Sequence, residues 1–204
     1  MQQTAPAPRS PGRILAKVIR VATIPPVGSF TLTTSLFVAW GQAYCGRLSY
    51  WLSVLFLSVF PVLAYPLQPL LKRFRHRGRE GQRSLAILMS VIGYLCGGVW
   101  LLFSQPSPMY RTVFLSYVIS GALIALFSKG FGIHASGHAC GIAGPVAGMT
   151  CFLGTPVLLP GLPILLATFW SSLKLKRHTA LEFLLGGAIS VAATVVLGRL
   201  FGAI

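Results

Sequence analysis

Long uncharged windows constrain this chain more than any other feature. The stretches 21–41, 50–71 and 85–103 contain no Lys, Arg, Asp or Glu, and 110–128 and 179–201 contain very few. A run of about 20 apolar residues is the length needed to cross the hydrocarbon core of a bilayer. Inside lipid every backbone N–H and C=O must find its partner within the protein, which leaves helices or a closed barrel. A membrane barrel would show alternating segments of about ten residues, and the chain has none. Composition agrees: of 204 residues, 54% are hydrophobic and 9% charged, against roughly 25% charged in a soluble domain. The expected fold is therefore an all-α, polytopic transmembrane helical bundle of about six or seven spans.

Residues 1–19, rich in Pro and Arg, read as a mobile basic lead, and 20–204 as one transmembrane domain. Arg9, Arg13, Lys17 and Arg20 precede a segment of full-span length, which is not a signal-peptide layout. Helices are expected over 21–41, with Pro25 and Pro26 kinking or delaying the start, then over 50–71, 85–103 and 110–128. A glycine-dense segment, KGFGIHASGHACGIAGP, leads into a fifth helix from about Ala135 to Phe152. GTPVLLPGLP is a second break before a sixth helix ending near Leu175, and a seventh covers Thr179 to Phe201. The four cysteines have no CxxC spacing and read as small buried hydrophobes.

Seven crossings put the N-terminus and the ends of helices two, four and six on one membrane face. That face then carries three polar regions: 72–83, 134–138 and 171–182. It also holds fourteen of the seventeen Lys and Arg residues, leaving Arg47, Arg111 and Arg199 for the other side. The positive-inside rule makes it cytoplasmic. The net charge of +15 suits loops lying against anionic headgroups or a bound phosphate. Nucleic acid is not an expected partner, because the cations lie in short loops between hydrophobic spans.

The polar regions supply parts for phosphate chemistry. Glu182 follows His178 by four residues, one helical turn, so a carboxylate can hold one imidazole nitrogen and leave the other free as a nucleophile. His138, on another helix, can act as proton donor to a leaving group. Ser136 and the N–H groups near Gly137 lie at an expected helix N-terminus, which favours an anion. Lys72 and Arg79 can neutralise its charge. A zinc site on His134, His138, His178 and Glu182 is the main alternative, which the surplus of cations disfavours.

The spacing resembles the type 2 phosphatidic acid phosphatase superfamily, which includes the vanadium haloperoxidases. Lys72 and Arg79 have the separation of its K-x6-R-P motif, with Glu80 in the proline position. Ala135-Ser136-Gly137-His138 matches P-S-G-H except at the proline. Ser171, His178 and Glu182 fit S-R-x5-H-x3-D, with Glu for Asp and Ser172 where arginine belongs. The likeness covers roughly residues 50–203. It is nearer a divergent branch with R-E-x-x-R, here Arg79 to Arg83, and K-R-H-T, here Lys176 to Thr179.

The resemblance implies a multi-helix core and a phosphohistidine on His178, oriented by Glu182. It also implies that His138 protonates the departing alcohol while Lys72, Arg79, Ser136, Gly137 and Arg177 hold the phosphate. The implied substrate is a phosphorylated lipid, phosphatidate or a polyprenyl diphosphate, with no metal or cofactor. A serine hydroxyl cannot reproduce the two-pronged grip of a guanidinium, and losing such a contact weakens a transition state by about 3 kcal/mol. A member that binds a phosphorylated lipid without turning it over is the corresponding alternative.

Overall fold

The computed structural model describes residues 10–130 and 132–204, and these form helices joined by short connections, with no strand. Residues 1–9 of the expected lead, with Arg9, lie outside the described residues. The lead's remainder is helical: α1, Pro11–Ala22, starts with proline in its first turn, where the missing N–H is no loss. Ile24 is extended, with ψ 147, as a residue before proline must be. Pro25 and Pro26 then open α2, Pro25–Trp40, bent 47° from α1. The prolines thus begin a helix rather than kink one.

Arg47–Leu70 is one apolar span assembled from α3, Arg47–Ser53, a π-helical stretch Val54–Val59, α4, Phe60–Leu67, and a closing 3₁₀ turn. α5 runs Gly78–Phe103 and starts seven residues before the expected 85, so Arg79 and Arg83 are helical. Glu80 in its first turn suits the positive end of the helix dipole and pairs with Arg77 at 3.2 Å. α6 is Pro108–Gly130, α7 Gly137–Leu153, α8 Leu158–Lys174 and α9 Ala180–Leu200.

By length and composition, five helical segments among the described residues can cross a membrane, or six if the bent α1–α2 pair is one span. α7, with 17 residues, reaches only about 26 Å and falls short of the core thickness of about 30 Å. It is also the central helix, packed against α9, α2, α8 and α6. Neighbouring helices rather than lipid surround it, so its length is not tied to the bilayer.

Close approach of these helices depends on missing side chains. A Cβ on Gly28 would strike the Gly141 carbonyl, and one on Gly186 would strike the backbone of Ser136. In lipid, small residues of this kind let backbones touch where apolar burial gives no drive. Outward-facing Leu95, Leu102, Leu159, Leu166, Leu184 and Val196 are exposed, as surfaces facing acyl chains should be. Cys96 is exposed on α5 as well, and Cys140 and Cys151 are half-buried, so the expectation of four buried thiols holds only for Cys45.

At one end of the bundle an aromatic cluster closes the core. Tyr44, Tyr50, Tyr110, Phe114 and Phe152 belong to it, and Ser53 donates to Tyr110 Oη at 2.9 Å. The other end is the polar one.

Candidate functional site

α7 begins at the polar end. Ser136 is its N-cap: Oγ accepts from Ala139 N at 3.2 Å, which satisfies one of the helix's four orphan donors. Its hydroxyl proton remains able to donate. Ser136 N donates to the Glu182 carbonyl at 2.9 Å, so the starts of α7 and α9 are stitched by a backbone bond. Gly137 is exposed and His138 is buried just behind it.

α8 ends in a six-residue turn. Lys176 N donates to Leu173 O at 2.9 Å and Arg177 N to Ser172 O at 3.0 Å, the two bonds of a Schellman cap. The residue at its left-handed position is Lys176, φ 51, where glycine is the usual occupant. That turn sends the chain back so that His178 stands just before α9. The side chain of Thr179 caps α9, and Glu182 Oε2 accepts from Thr179 N at 3.0 Å in a full capping box. The same Oε2 meets His178 Nδ1 at 3.2 Å. The pair is therefore a loop histidine reaching back to the third helical residue, not two side chains stacked on one helix as the spacing alone implies.

Glu182 has two roles in consequence. It holds the helix start, and it orients the imidazole so that, among the described residues, Nε2 has no partner. His178 lies in an open depression with Leu173, Lys176, Arg177, Thr179 and Glu182. Partial burial lowers its pKa below the ordinary histidine value; the Glu182 bond opposes this, while the Arg20 charge adds to it. The side chain is thus neutral at neutral pH, the form in which Nε2 carries a lone pair.

α1 contributes the remaining groups. It packs on α8 through its Ala16 side, and Arg20 Nη1 donates to Ser172 Oγ at 3.2 Å. Thr23 Oγ1 donates to Ile19 O at 2.8 Å and lies 3.1 Å from His138 Nε2. A hydroxyl has one proton, so the tautomer of His138 sets which of Thr23 Oγ1 and Nε2 donates across this contact. Burial, then the charges of Arg20 and His178, disfavour a second proton on His138.

The structure brings Ser136, His138, His178 and Glu182 to one place. Arg177 follows from the same turn and repels Arg20. Lys72 and Arg79 are exposed, and neither is among the charges that act on His138, His178 or Arg20. From the basic region it is Arg83 that acts on His178 and Arg20. Arg83 lies one helical turn beyond Arg79 on the same side of α5 and is likewise exposed, so its position along the helix, and not the face it shows, brings its charge within reach of the site. His134 is exposed and acts on Glu182 by charge. Among the described residues no three His, Cys, Asp or Glu side chains group to hold a metal.

Arg20, Thr23 and the Ser172 hydroxyl went unread in the sequence. The only signal was position: Arg20 is the last cation before the Pro25-Pro26 break. The capping box went unread too, although it has a local signal in Thr179-x-x-Glu182. No protein-family model, curated protein or solved structure matches the chain, so its functional reading rests on the geometry of these residues.

Proposed function

We propose that the chain is a membrane-embedded, metal-independent phosphatase for lipid phosphates, of the type 2 phosphatidic acid phosphatase kind. Phosphatidate or a polyprenyl diphosphate is the substrate class. The observation that carries the reading is the His178 Nδ1–Glu182 Oε2 contact of 3.2 Å, beside a buried second imidazole and an arginine, Arg20, on which the charges of Arg177 and Arg83 act.

In this reading His178 Nε2 attacks phosphorus and the bond from phosphorus to the alcohol oxygen breaks. His138 delivers a proton to the leaving oxygen. Water then attacks the phosphohistidine, giving its proton to His138, and inorganic phosphate departs. In the empty site His138 is neutral. A bound phosphate adds the negative charge that lifts an imidazole's proton affinity, so the acid is charged by its own substrate. The cationic end of the bundle faces the cytoplasm by its excess of Lys and Arg. The acyl or prenyl tail lies among the exposed apolar helices.

The test is phosphate release from a panel of lipid phosphates by purified protein, with His138→Ala and His178→Ala variants of matched thermal stability. Turnover that is blocked by vanadate, unaffected by chelator and lost in His178→Ala is expected. Equal turnover by wild type and His178→Ala would end the enzymatic reading. Binding of phosphorylated lipid without release would favour the non-catalytic alternative, which Ser172 in place of arginine already suggests.

A further inference from the structure

The amphipathic helix α1 has two unlike faces. Ile14, Leu15, Val18 and Val21 are exposed, the side suited to an interfacial layer. Arg20 turns the other way, is half-buried, and donates to Ser172 Oγ at 3.2 Å. A guanidinium carries five N–H donors, and a single hydroxyl engages only part of that fork.

No carboxylate answers its charge. The chain has two acidic residues: Glu80 is paired with Arg77, and Glu182 is held by His178 and Thr179. The neighbours of Arg20 are instead the guanidiniums of Arg177 and Arg83, which repel it. A half-buried cation facing two others is unfavourable until an anion arrives. Arg20 is also the one cation, among the described residues, that acts on both His138 and His178.

We propose that Arg20, delivered by α1 from outside the three polar motifs, grips the phosphate oxyanion between His138 and His178, filling the place left by serine at position 172. The ligand chemistry is a phosphate dianion, as a lipid headgroup or free orthophosphate. The identity of the substrate rests on the phosphatase reading; the oxyanion grip itself needs only the charges and distances above. Ser172 then has a positioning role: its hydroxyl accepts one N–H and aims the rest of the fork. Because Thr23 on the same segment lies 3.1 Å from His138 Nε2, α1 brings the anion clamp and a partner for the second imidazole to the site together.

The experiment uses the full chain in detergent. Binding of orthophosphate and of phosphatidate in mixed micelles is measured by calorimetry for wild type, Arg20→Gln, Arg20→Lys and the double variant Arg20→Gln/Ser172→Arg. Glutamine keeps a donor for Ser172, so the α1–α8 tie survives while the charge goes; equal melting temperatures check this. Arg20→Gln is expected to raise Kd for both ligands by about tenfold to a hundredfold, the worth of a charged hydrogen bond. Arg20→Lys should lose less, and the double variant should recover much of the loss.

Wild-type affinity in Arg20→Gln overturns the proposal while leaving the phosphatase reading standing if turnover persists. A loss confined to phosphatidate micelles, with orthophosphate unaffected, also overturns it, since α1 would then be contacting lipid rather than phosphate. Failure of the wild type to bind either ligand sinks both readings.

Discussion

Gly186 and Gly187 are adjacent on α9, yet alanine at the two positions should act in opposite directions. A Cβ on Gly186 collides with the Ser136 backbone, whereas one on Gly187 sits 3.5 Å from the Ala143 Cβ, an ordinary contact. Either substitution gains about 1 kcal/mol of helix propensity. At Gly187 that gain stands. At Gly186 it is outweighed by overpacking of about 1–3 kcal/mol, and the upper end applies because the obstacle is backbone and cannot rotate aside. The two variants should therefore differ by about 3 kcal/mol, or roughly 6–12 °C in melting temperature for a chain of this size. Activity should diverge too. Relief of the clash pushes Ser136 off the Glu182 carbonyl, and a displacement of about 1 Å at a reacting site is worth about a hundredfold in rate. Thermal unfolding in detergent and phosphate release on the same samples measure both. Gly186→Ala as stable and as active as Gly187→Ala would show that α7 and α9 are not in backbone contact at the site.

Other consequences follow from the same geometry. As the proposed nucleophile His178 must be neutral, and its pKa is depressed. The acid limb of kcat/KM, which titrates the free enzyme, should lie below about pH 6.5; a limb above that value contradicts the assigned electrostatics. Glu182→Gln retains a side chain competent for the capping box but loses the charge beside His178, so folding should persist while kcat falls by about a hundredfold, read by paired melting and turnover curves. Lys176→Gly removes a left-handed backbone penalty of about 1 kcal/mol and should raise the melting temperature. A lowered melting temperature would mean that the Lys176 side chain has a stabilising contact of its own.

The spans were legible because lipid enforces a simple rule, and uncharged windows such as 85–103 leave no other reading. Boundaries were less so. The basic stretch before residue 85 reads as loop by charge, but its glycines and Glu80 allow α5 to begin at Gly78. Within the site, His178 and Glu182 were findable because their partnership is local. The place of Ser136 at a helix start was legible as well, and there its hydroxyl serves as the cap. Arg20 was not: its partner lies 152 residues away, and Thr23 is 115 residues from His138. No local pattern encodes such a meeting. Lys72 and Arg79 illustrate the converse, since their spacing could not say that Arg83, one turn further along α5 on the same side, is the cation whose charge reaches His178.

The π-helical stretch inside Arg47–Leu70 has a consequence for how that span tolerates change. Its buried positions Ser53, Leu57 and Pro61 recur every fourth residue, whereas a regular helix drifts about 40° over each such step. The wider turn absorbs the drift, so Ser58 can meet Ser29 at 2.8 Å while Ala64 still faces inward. Deleting one residue between Val54 and Val59 would tighten the coil to the ordinary pitch, and five residues of the tighter coil turn through about the same angle as six of the wider one, so Ala64 would still face inward. Single-residue shortening there should be better tolerated than the same deletion in a regular stretch of the span, where everything beyond it would swing by about 100°.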